Sequence, residues 1–280
     1  MPPAMAQTTP QERKRAFGIL FFCLLCLGMG QSLFFAVLPP VARDLGLTEV
    51  QVGAIFSLSA LLWVITSPFW GRTSDVWGRK SIMLIGLCGF GTSTIGFAVF
   101  IWMGMQGMIG LALLFPLLVG VRAIFGAFGS GTMPASQAYV ADRTTRAERA
   151  SGVATIGAAF GMGTVIGPGV AAALIVFGLL APFFVVGTLA FLSALAIWIL
   201  LPERTRPRER QDKTHRLKML DARVWPFLTV GVLMAMGQSI VVQVSAFYFQ
   251  DTLNLSVADA AQLVGIGMMA MAMSTLFAQL

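Results

Sequence analysis

The segment GRTSDVWGRKS at positions 71–81 gathers Gly71, Asp75, Gly78, Arg79 and Lys80 into one short stretch of a chain that is only 11% charged. A carboxylate and two cations at this spacing do ion-pair chemistry, and the flanking glycines let a chain reverse direction sharply. Arg122 is a second candidate, because it lies deep in an apolar stretch with no other ionisable side chain. Leaving such a cation in hydrocarbon costs at least about 2.5 kcal/mol, so Arg122 is expected to face a cavity or a polar partner. Two amides, Gln31 and Gln238, sit in similar surroundings, where they serve either a ligand or an interhelical hydrogen bond. Enzyme chemistry finds no footing: the one histidine, His215, excludes a His-Glu-x-x-His metal site, and no Gly-x-Ser-x-Gly elbow occurs. Neither a cofactor nor a metal is expected. Cys23 and Cys26 have redox-motif spacing, but within an apolar run they read, like Cys88, as small packing residues.

The elements that must hold these side chains are long apolar helices. The chain is 57% hydrophobic with mean hydropathy +0.82, far above what a water-soluble core requires. Apolar runs near 16–40, 49–70, 81–103, 110–139, 150–177, 181–201, 224–249 and 257–280 are each long enough to cross about 30 Å of hydrocarbon at about 1.5 Å per residue. The period-2 alternation of barrel strands is absent, and lipid forces backbone groups to be satisfied within each segment. The fold class expected is all-α and polytopic. Of the 19 basic residues, only Arg43 and Arg122 lie away from the N-terminal tail and the loops after the second, fourth and sixth spans. That asymmetry predicts a cytoplasmic N-terminus and accounts for the net charge of +7 through topology, without nucleic acid as a partner.

The run PERTRPRERQDKTHRLKMLDAR is the longest polar connection. It predicts a division into a tail at 1–15, a six-helix bundle at 16–201, a cytoplasmic linker at 202–223 and the first two helices of a second bundle at 224–280. The second bundle begins as a parallel repeat of the first. GMGQS at 28–32 returns as AMGQS at 235–239, Asp44 as Asp251, and LGLT at 45–48 as LNLS at 253–256. Thr48 with Gln51, and Ser256 with Asp259, have capping-box spacing. A repeat of this kind predicts further helices after the eighth, so the chain reads as stopping part-way through its second bundle.

Three stretches in order carry a family resemblance: Gly71-x-x-x-Asp75-x-x-Gly78-Arg79-Lys80, then Arg122 followed by Gly126 and Gly129, then GMGTVIGPG at 161–169. Together the chain resembles the major facilitator superfamily, and the last stretch is similar to the signature of its drug/proton antiporter branch. Thr73, Val76 and Ala171-Ala172 depart from the usual pattern. The resemblance implies a gating latch built from Gly71, Asp75, Gly78, Arg79, Lys80 and Asp142. It implies a central cavity or coupling group at Arg122, Gln31 and Gln238, and a hinge in the fifth span at Gly163, Gly167, Pro168 and Gly169. The function implied is a secondary carrier that exports small or amphipathic compounds by alternating access, with protons as the counter-ion to test. Metabolite uptake or facilitated passage is the alternative, and a receptor that kept the fold a third. The same resemblance implies a monomer in the plasma (inner) membrane, its partners being a small-molecule substrate, protons and the lipid bilayer.

Overall fold

The computed structural model describes residues 10–145, 147–202, 225–253 and 255–279. From 203 onward, the expected linker lies outside the described residues. Every regular element among the described residues is a helix: α1 (Pro10–Asp44), α2 (Glu49–Trp77), α3 (Arg79–Met105), α4 (Leu111–Ile124), α5 (Thr132–Ala141), α6 (Arg149–Leu174), α7 (Ala181–Leu200), α8 (Trp225–Leu253) and α9 (Val257–Gln279). A π-helical turn, Phe125–Gly129, joins α4 to α5, so Leu111–Ala141 forms one interrupted span. Among the described residues, six spans are long and apolar enough to cross a membrane, and α8 and α9 add the shorter apolar stretches Thr229–Val241 and Val257–Met271. Leu61, Val64 and Ile65 on α2, and Leu192, Trp198 and Ile199 on α7, are exposed, as lipid-facing side chains should be.

The helices outrun the apolar segments that predict them. α1 begins at Pro10 instead of 16 and continues through Pro39 and Pro40 to Asp44. α2 continues to Trp77 rather than ending near 70, so GRTSDVWGRKS is not a loop. Hydrocarbon thickness sets how many apolar residues are needed, whereas a helix persists into the headgroup region until a backbone signal stops it. Here that signal is Gly78 alone, with φ 92° and ψ 148°, a conformation that L side chains rarely adopt. Gly71 lies inside α2 and makes no turn. Asp75 therefore sits in the last turn of α2, not at the start of α3, and the helix dipole there disfavours its charge.

Both anticipated caps are present. The Gln51 amide donates to Thr48 Oγ1 at 3.3 Å and the Thr48 amide to Gln51 Oε1 at 2.9 Å, and the Asp259 amide donates to Ser256 Oγ at 3.2 Å. α1 is the central rod, packed most extensively against α6 and also against α7, α8 and α9. Small residues make the α1–α6 approach possible. A Cβ at Gly163 would lie 2.8 Å from the Met29 nitrogen, one at Gly167 2.9 Å from Met29 Cα, and one at Gly28 3.1 Å from the Thr164 nitrogen. Cys23 and Cys26 are buried in this core and Cys88 is exposed.

Candidate functional site

The charged cluster assembles around Arg79, whose buried guanidinium reaches three groups. It meets the Asp75 carboxylate at 2.5 Å one turn earlier, Ser74 Oγ at 2.5 Å and, across to the end of α5, Asp142 Oδ2 at 3.3 Å. Gly78 makes this possible, because a single-residue reversal brings the last turn of α2 against the first of α3. Two anions on one planar fork offset the unfavourable dipole at Asp75. Lys80 points elsewhere, donating to the Leu201 carbonyl at 2.8 Å. The next carbonyl, Pro202, accepts from Tyr139 Oη at 3.1 Å and Arg143 Nη2 at 3.0 Å, and Arg143 lies 3.6 Å from the Tyr139 ring centroid. Three side chains thus fix the end of α7 where the polar connection begins. Tyr139 and Arg143 gave no motif signal in the sequence. All of these contacts lie within the first six spans.

Arg122 is 3% exposed, and no hydrogen bond from its guanidinium to a polar side chain is found among the described residues. Its Cζ lies 4.0 Å from the Phe34 ring centroid and 4.4 Å from that of Phe125, so two aromatic faces take the place of the expected polar partner. Cation–π attraction strengthens as water is removed, which makes this arrangement tolerable in a dry interior. Arg122 Nε and Nη1 nevertheless have no hydrogen-bond partner among the described residues, nor has the buried Gln31 Oε1. Gln31 and Phe34, three residues apart on α1, share one helix face. Two unpaired donors thus lie against the Phe34 ring, and an unpaired acceptor lies one turn earlier on the same helix. The Gln238 side chain lies outside the described residues. A cavity of about 460 Å³ opens at the face bearing the basic loops, lined by Arg13, Lys14, Phe17 and Thr144 among others.

The π-helical turn follows Arg122 directly. Side chains of neighbouring spans donate onto the carbonyls around it: Ser59 Oγ to Arg122 at 3.0 Å, Ser93 Oγ to Val121 at 2.5 Å, Thr66 Oγ1 to Gly126 at 3.2 Å and Trp70 Nε1 to Ala127 at 2.5 Å. A wider turn weakens the regular ladder, and these donors from α2 and α3 compensate. Ser59, Thr66, Trp70 and Ser93 escape a sequence reading because each is unremarkable until helix packing aims it at this turn. The expected hinge residues are split between two contacts. Gly163 and Gly167 meet α1, whereas Gly169 meets Met269 of α9, and the Pro168 carbonyl is the first group a Cβ on Gly265 would strike.

Residues 20–280 match the Major Facilitator Superfamily. The chain belongs to that superfamily. Among major facilitator relatives, it is 29% identical over 207 residues to multidrug resistance protein 2 of Bacillus subtilis (strain 168), covering 74% of this chain and 49% of that protein. It is 26% identical over 245 residues to quinolone resistance protein NorA of Staphylococcus aureus (strain MSSA476), covering 86% of this chain and 60% of NorA. The chain thus spans about half to three-fifths of the curated relatives it matches. Its fold is similar to a bacterial homolog of the human lysosomal transporter Spinster, at TM-score 0.68 and 17% identity over 96% of this chain and 61% of that one. It is also similar to the human organic anion transporter MFSD10, at TM-score 0.62 and 21% identity over 95% and 71%. The protein is an integral, multi-pass membrane protein of the major facilitator fold.

Proposed function

We propose that this protein is a secondary carrier of the plasma membrane that exports small amphipathic compounds by alternating access, with protons as counter-ion. Its N-terminus and basic loops face the cytoplasm, and residues 16–201 and 224–280 belong to two halves that rock against each other. One observation carries the reading: a superfamily match over most of the chain contains a buried arginine, Arg122, whose Nε and Nη1 have no hydrogen-bond partner among the described residues. Unpaired polar groups in hydrocarbon are costly, and a passing ligand or water would satisfy them. The resistance proteins among its relatives support a drug-like cargo. Asp75, Arg79 and Asp142 then serve the inner gate, and Gly163, Gly167, Pro168 and Gly169 the sliding surfaces. Arg122 is the coupling group for which the described residues argue most strongly. The carrier works as a monomer.

The test uses the intact protein in liposomes with an imposed pH gradient, and a quinolone and a cationic amphipathic dye as cargo. Accumulation that follows the gradient and collapses when it is dissipated is the expected result. Passage only down the cargo's own gradient favours a facilitator, and binding without passage favours a receptor. Either outcome overturns the exporter reading.

A further inference from the structure

At the end of the molecule opposite the basic loops, one guanidinium ties the first six spans to α8. Arg43, in the last turn of α1, makes a two-pronged contact with Asp251, Nη1 to Oδ1 at 2.6 Å and Nη2 to Oδ2 at 3.3 Å. Nη1 also donates to the Phe247 carbonyl at 3.4 Å, and Arg43 Cζ lies 5.4 Å from the Phe247 ring centroid. Nη2 reaches Glu49 Oε1, at the start of α2, at 3.2 Å. Among the described residues, the pairs Arg13–Glu148, Arg43–Glu49, Arg79–Asp75 and Arg79–Asp142 stay within the first six spans, and Arg43–Asp251 crosses out of them.

The sequence repeat sharpens the point. Asp251 is the counterpart of Asp44, but the counterpart of Arg43 is Gln250, so the tie is not duplicated by symmetry. It consists of one cation from the first half and one carboxylate from the second. Glu49 belongs to the same half as Arg43 and can keep the guanidinium paired when Asp251 withdraws. Parting then leaves only an exposed carboxylate, which water can solvate.

We propose that Arg43 is the clasp that closes the protein on the face opposite the basic loops, and that its separation from Asp251 opens that face. The inference rests on the rocking of two halves proposed above. Side-chain exposures of 34% for Arg43 and 61% for Asp251 place the pair in partly screened surroundings. A tie of this kind shifts a closed-to-open ratio about three-fold, enough to bias the equilibrium and too little to lock it.

The experiment places spin labels at the exposed Val50 and Leu253 of the intact protein, freed of its native cysteines, and reads their separation by pulsed dipolar spectroscopy without any cargo. Asp251→Asn and Arg43→Gln should each move the population toward longer separations by about three-fold in the closed-to-open ratio. Glu49→Gln removes the resting partner only and should leave the short separation dominant. Arg43→Lys keeps the charge without the fork and should fall between wild type and Arg43→Gln. Distributions identical to wild type in Asp251→Asn and Arg43→Gln overturn the clasp, and so does an equal opening in Glu49→Gln. Failure of wild type to accumulate cargo in liposomes defeats the carrier reading while leaving these separations interpretable.

Discussion

Arg122 has its guanidinium carbon within 4.4 Å of two ring centroids, and two of its nitrogens lack partners among the described residues. Its planarity therefore matters as much as its charge. Arg122→Lys preserves the cation but loses the stack, so cargo binding measured by tryptophan quenching should weaken at least about ten-fold. Full binding in the lysine variant would reduce Arg122 to a bare charge. Phe34→Leu removes one ring and leaves a gap, which should cost about 2 kcal/mol in unfolding assays in detergent micelles. At the basic face, Glu148 is held below the ordinary carboxylate range, first by the Thr145 amide and hydroxyl and then by Arg13. Its stabilising contribution is therefore present above the ordinary value of 4.5 and is lost as pH falls through the lowered folded value. The stability gap between wild type and Glu148→Gln should be constant from neutral pH down to that range and close below it. A gap that widens on acidification reverses the assignment. Arg122 was legible in the sequence because a lone charge in an apolar run is conspicuous. Its partners were not, since Phe34 and Phe125 are two among 22 phenylalanines, and only the reach of the Arg122 side chain to α1 and the local turn after α4 select them.

The fourth span shows what apolar periodicity leaves out among elements. Its length and position are readable from hydropathy, but the π-helical turn is not, and the side chains that donate onto its carbonyls come from α2 and α3, far off in the chain. If those donors hold the wide turn, Ser59→Ala and Trp70→Phe should each destabilise the protein by about 1 kcal/mol, and the pair by roughly the sum, as measured by thermal unfolding. A double variant as stable as wild type would mean that the turn is intrinsic to FGAFG. The reversal between α2 and α3 shows the complementary limit. The residues of the cluster were legible from their spacing, while the idea of a loop failed because charge in the headgroup region does not end a helix. Asp75 depends on Arg79 to remain where the dipole disfavours it. Asp75→Asn should therefore shift the carrier's conformational balance and lower its transport rate several-fold, while equilibrium cargo affinity changes by less than about two-fold. Loss of binding in that variant would assign Asp75 to the binding site and overturn the proposed gate role.

For the molecule as a whole, the sequence shows most clearly where charge is absent. Eight apolar runs became eight helical regions among the described residues, and the repeat placed matching caps at Thr48 and Ser256. Contacts between distant helices were not legible: neither the α1–α6 crossing nor the meeting of Arg43 with Asp251 has a local signal, because each depends on residues far apart in the chain. Orientation is tested directly by single cysteines in a cysteine-free background. Labels at Ser81 and Lys213 should react only from the cytoplasmic side, and one at Gln106 only from outside. Reaction of Gln106 from within would invert the topology. The length of α1 has a mechanical consequence. At about 1.5 Å per residue its 35 residues span about 50 Å, with Arg13 tied to Glu148 near one end and Arg43 to Asp251 at the other. Between them, Gly163 and Gly167 of α6 press on the rod around Leu25 and Met29, near its middle. One continuous helix thus carries an ion pair toward each end and its tightest glycine contacts between them, so the same backbone that α6 grips at its middle also holds Arg13 and Arg43 about 45 Å apart.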